Sequence, residues 1–86
     1  MASVEQVRGQ ISLAKDQAER GAQALHEAEN EIGQAQRAFQ EAAQGSSQSE
    51  ANDVTNMFSH ALEKIGEARD AVAAAMTNAE SYAGKL

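Results

Sequence analysis

The 86-residue chain contains no cysteine, no proline and no tryptophan. Without cysteine there is no disulfide scaffold, no thiolate zinc site and no cysteine nucleophile. Aromatic residues make up 3% of the chain, namely Phe39, Phe58 and Tyr82. The longest apolar run, Ala71 to Met76, is far short of the roughly 20 residues that a membrane-spanning helix needs. Basic charge is also scarce: seven Lys and Arg are scattered among thirteen Asp and Glu, for a net charge of -6. A phosphate-binding face needs clustered Lys and Arg, so nucleic acid is not an expected partner. The polar positions are acidic or neutral, which excludes a basic amphipathic membrane helix. The opening MASVEQVRGQ lacks a charged start followed by an apolar stretch, so no Sec-type signal peptide is expected.

What is present is alanine at helical spacing. Nineteen alanines form about half of the 42% hydrophobic content, leaving seventeen larger apolar residues to build a core. Apolar and small residues recur at three- and four-residue steps. The first series is Val4, Val7, Ile11, Ala14, Ala18, Gly21, Leu25, Ala28, Ile32, Ala35, Phe39, Ala42. The second is Val54, Phe58, Ala61, Ile65, Ala68, Val72, Ala75, Ala79, Tyr82, Leu86. Both are heptad seams, nothing alternates with period two, and the abundant Ala, Gln and Glu are good helix formers.

The pattern predicts one all-α domain over residues 1–86, an antiparallel two-helix hairpin with a coiled-coil-like, alanine-rich seam. The first helix is expected over about 3–44, the turn over about 45–50 and the second helix over about 50–84. Ser3 with Gln6 and Ser47 with Glu50 have capping-box spacing, and Gly45 suits a helix C-terminus. At about 1.5 Å per residue the helices run roughly 60 and 55 Å. A turn near residues 46 and 47 sets Phe39 against Val54, Ala35 against Phe58, Ile32 against Ala61 and Leu25 against Ala68. Large residues then meet small ones, and close helix approach would explain Gly21. Phe39, Phe58, Ile32, Ile65 and Leu25 are the expected core, near the turn. Ala14, Ala18, Ala75 and Ala79 leave a thin zone in the distal half.

No constellation for catalysis, metal binding or a cofactor stands out. His26 and His60 each begin an H-x-x-E string, but the hairpin sets them about two turns apart, so both read as surface histidines. Glu27, Glu29 and Glu31 lack the cleft that a catalytic carboxylate pair requires, and Glu31 is expected near Lys64 across the helices. The serines and threonines have no evident base or oxyanion partner, and there is no Gly-rich phosphate loop. The chain is therefore expected not to be an enzyme. The apolar residues outside the seam that most need an explanation are Leu13, Met57, Leu62 and Met76, with Ala83 following on the flank of Leu62 and Met76. They read as a partner surface, or as a flank covered by the aliphatic stems of Lys15 and Arg69. The expected partner is a second copy, giving a four-helix bundle, or another helical protein.

A short, acidic, cysteine-free helical hairpin resembles the Trp-X-Gly family of type VII secretion. The place of that family's turn motif reads Ala43-Gln44-Gly45 here, with the glycine and without the tryptophan. The family's C-terminal signal is a tyrosine followed four residues later by an acid, and here Tyr82 is followed by Leu86. The resemblance implies a small four-helix dimer, exported without a Sec signal or targeting a larger toxin. The alternative is a cytoplasmic, self-associating structural or regulatory bundle.

Overall fold

The computed structural model describes residues 2–45 and 49–86. It is an all-α hairpin: α1 spans Val4–Ala42, α2 spans Ser49–Gly84, and the two pack antiparallel along their length. The expected capping box is in place at the start of α1. The Gln6 backbone N–H donates to Ser3 Oγ at 3.1 Å, and the Ser3 N–H donates to Gln6 Oε1 at 3.0 Å. Two of the free backbone N–H donors at that end are thereby satisfied.

At the other end, the Ala43 N–H donates to the Phe39 carbonyl at 2.9 Å and the Gln44 N–H to the Glu41 carbonyl at 3.3 Å. Gly45 follows with φ +86°, the left-handed conformation that glycine adopts without steric cost. Ser47, expected as the cap of α2, lies outside the described residues.

The hairpin is a rod of 65 × 17 × 15 Å with a radius of gyration of 19.5 Å. A compact domain of this length would have a radius of gyration of about 12 Å. The consequence is thermodynamic: no described residue is fully buried, and the side chains between the helices are all part-exposed. Two helices can shield only one stripe of each other.

The stripe that faces inward differs from the predicted one. On α1 it consists of two heptad columns four residues apart. The first is Ile11, Ala18, Leu25, Ile32 and Phe39, as expected. The second is Lys15, Ala22, Glu29, Gln36 and Ala43, all half-buried; of the column expected in its place, Val7 and Ala28 are half-buried and Ala14, Gly21, Ala35 and Ala42 are exposed. On α2 the half-buried columns are Ala51, Phe58, Ile65, Val72, Ala79 and Thr55, Leu62, Arg69, Met76, Ala83, with Val54, Ala61 and Ala68 beside them.

The second α1 column is largely polar because its side chains reach across. Lys15 Nζ meets Glu80 Oε1 at 2.5 Å, and Arg69 Nη1 meets Glu29 Oε1 at 2.6 Å. Gln36 Nε2 donates to the Thr55 carbonyl at 3.0 Å and to Ser59 Oγ at 2.8 Å. One heptad before Lys15, Arg8 Nε donates to the Ala83 carbonyl at 3.3 Å. Long side chains shield the groove with their stems and place their polar ends on the opposite helix.

The facing register also departs from the prediction. Phe39 meets Phe58, with ring centroids 6.4 Å apart and planes at 46°, instead of each ring meeting a small residue. Gly21 has open space where a β-carbon would sit, so close helix approach within the hairpin does not explain it.

Candidate interaction surface

Helical geometry turns the inward columns into two different broad faces. With 100° per residue and antiparallel helices, the column three residues after Ile11's and the column three residues after Phe58's project on the same side of the rod. That side carries Val7, Ala14, Gly21, Ala28, Ala35 and Ala42 from α1, and Val54, Ala61, Ala68, Ala75 and Tyr82 from α2. The opposite side carries Glu5, Ser12, Glu19, His26, Gly33 and Gln40 from α1, and Asn52, Ser59, Gly66, Ala73 and Glu80 from α2. Periodicity placed the alanine columns inside the seam. The structure leaves Ala14, Gly21, Ala35, Ala42, Ala75 and Tyr82 exposed and keeps Val7, Ala28, Val54, Ala61 and Ala68 half-buried at the edge of the seam, and together they form an apolar face of the whole hairpin.

The grooves divide in the same way. One apolar trough is lined by Ala14, Lys15, Ala18, Ala75, Met76 and Ala79, the thin zone expected from the sequence. An apolar notch near the turn is formed by Val54, Met57 and Phe58. A polar groove on the other side is lined by Glu19, Ala22, Gln23, His26, Arg69 and Met76.

The five residues singled out as a partner surface fall in three places. Leu62, Met76 and Ala83 are half-buried in an inward column of α2, so the hairpin itself covers much of them. Leu13, 66% exposed, points away from α2, on the back of α1. Met57, 71% exposed, borders the apolar face. Tyr82 is on that face, with 57% of its surface exposed. Periodicity puts it in the seam, and the signal that places it outward is its column, which otherwise holds mainly alanine.

Lys15 and Arg69 lie over the flank as their aliphatic stems suggested, and both end in ion pairs across the helices. The hydrogen bond that its ammonium donates to Glu80 holds Lys15 above the usual lysine pKa of 10.5. Glu31 and Lys64 do not pair within the hairpin; Lys64 Nζ instead meets Glu67 Oε2 at 3.3 Å on its own helix. His26 and His60 are exposed on separate levels of the two helices. Among the described residues no group of three or more His, Cys, Asp or Glu is placed to hold a metal ion. No described helix is long and apolar enough to cross a membrane.

These features define an antiparallel helical hairpin with one apolar and one polar broad face. Comparisons with protein-family models, with curated proteins and with solved structures give no match to this chain.

Proposed function

We propose that this chain is a non-enzymatic protein–protein interaction module that binds helix on helix, with two hairpins in a four-helix bundle as its smallest stable unit. The observation that carries the reading is the lack of any fully buried described residue. The chain exposes 6401 Å² of surface. A compact monomer of 9.1 kDa would expose about 4,900 Å². The difference is roughly 1,500 Å² per chain, or about 3,000 Å² for a pair, within the range of permanent homodimers. Pairing would supply the burial that one hairpin lacks.

In its finer form, the reading makes the chain a small companion of type VII secretion or the targeting partner of a larger toxin. Its support is the Trp-X-Gly resemblance: the hairpin, the glycine of positive φ at Gly45, and Tyr82 near the end of α2. A cytoplasmic bundle that only associates with itself is the second reading, favoured by the apolar face common to both helices. The two diverge in the culture medium: co-expression with a type VII secretion ATPase exports the chain in the first reading and leaves it in the cytoplasm in the second.

The shared claim is tested by melting the protein over a hundredfold range of concentration. A pairing hairpin melts at higher temperature as concentration rises, because association and folding are linked. A midpoint that stays constant, with no helical partner captured, would exclude the module reading.

A further inference from the structure

We propose that the second copy docks on the alanine face, related to the first by a two-fold axis parallel to the helices, so that α1 of each copy lies along α2 of the other. The proposal rests on the interaction-module reading and specifies its partner and surface.

Two observations select this arrangement. The first is charge. Across the alanine columns, the Ile11 and Phe58 columns beside them, and the columns that border the face, the charged residues are Glu31, Glu50 and Lys64 on the helices and Lys85 just past the end of α2. They cancel, although the chain carries a net charge of -6. A second acidic chain can approach this side without opposing its own kind of charge, whereas the rest of the surface would repel it.

The second observation is the match between the two borders. Lys15 stands beside Glu80 and Gln36 beside Ser59, pairs whose numbers add to 95, and the contacts Gln36–Thr55, Phe39–Phe58 and Glu29–Arg69 add to 91, 97 and 98, so the levels along the rod centre near a sum of 95. By that rule, Glu31 on the border of α1 is level with Lys64 on the border of α2. Gln17 is level with Asn78, Ala24 with Ala71, and Ala38 with Met57. Within one hairpin these partners are on opposite edges of the face and do not touch. A two-fold axis parallel to the helices preserves height and exchanges the edges, so each residue meets its counterpart in the other copy. Over the four middle heptads acid then meets base, amide meets amide and apolar meets apolar, while at the two ends Lys85 is level with Gln10 and Glu50 with Gly45. Glu31 has no ion-pair partner among the described residues, and Lys64 has only its helix neighbour Glu67. A two-fold axis perpendicular to the helices would instead set α1 against α1, leaving Glu31 away from Lys64.

The test exchanges the charges. Glu31→Lys and Lys64→Glu are made separately, and mass is followed by light scattering during dilution. Each variant alone should dimerise about tenfold more weakly than the parent, since two attractive pairs per dimer become repulsive. Mixed one to one, they should form a heterodimer near the parent's affinity, because every 31–64 contact then joins opposite charges. Dimers whose affinity neither substitution changes, or whose loss the mixture does not restore, would overturn this docking while leaving the module reading intact. A parent that is monomeric throughout and captures no helical partner would overturn both.

Discussion

The turn-proximal and distal halves of the hairpin share one fold and are held together differently. Near the turn, Phe39 and Phe58 are in contact, Ile32, Ile65 and Leu25 line the same columns, and Gln36 bonds across to Thr55 and Ser59. In the distal half the equivalent space is an alanine trough, bridged by the Lys15–Glu80 pair and by Arg8 on the Ala83 carbonyl. Apolar burial is worth about 25 cal/mol per Å², whereas an exposed ion pair is worth well under 1 kcal/mol. The half nearer the turn therefore carries most of the intrinsic stability of one hairpin. The distal half holds its helices in register and depends more on being covered.

The largest effect should come from Phe58→Ala. At this half-buried site it should cost about 2 kcal/mol in a urea melt, roughly half the value for a fully buried ring. Ile11→Ala, in the distal half, should cost about 1 kcal/mol because its neighbours are small. Equal losses at the two sites would erase the distinction between the halves. Gln36→Ala should cost about 1 kcal/mol, the net worth of its bonds to α2.

Glycine separates the faces as well as the halves. Gly9 is on the back of α1 and Gly21 on the alanine face, and each has open space for a β-carbon in one hairpin. Gly9→Ala should stabilise the protein by up to about 1 kcal/mol, from helix propensity alone. Gly21→Ala should do the same at high dilution and less at high concentration, where the second copy approaches that face. Identical gains at all concentrations would remove Gly21 from the interface.

The smallest effect belongs to Lys15→Met. The Glu80 hydrogen bond raises the Lys15 pKa in the folded state, so the ion pair stabilises fully below the unfolded lysine value near 10.5 and is lost as pH rises through the raised value. The variant should melt slightly below the parent at neutral pH and together with it once that range is passed. A gap that persists there would assign the loss to the aliphatic stem.

Much of the fold was legible in the sequence. The Ser3 cap, the Gly45 stop and the two apolar series were enough to place a hairpin and its ends. The inward face was not, because period and apolarity rank Ala14 or Ala35 above Lys15, Glu29 or Gln36. In a two-helix rod the boundary with water runs through the seam, so a long polar side chain can shield it better than a methyl group and still reach a partner. The same ranking treated Leu62 and Met76 as outlying, when an alanine seam would have left the space that they fill. The alanine columns could be read as apolar, but which side of the hairpin they occupy follows only from the antiparallel packing.

The central claim is that the hairpin is half of a bundle. It is tested most directly by light-scattering mass over a hundredfold dilution. The account predicts twice the 9.1 kDa of one chain at high concentration, falling toward one chain together with loss of helix. A mass of 9.1 kDa at every concentration, with the helix content intact, would contradict it.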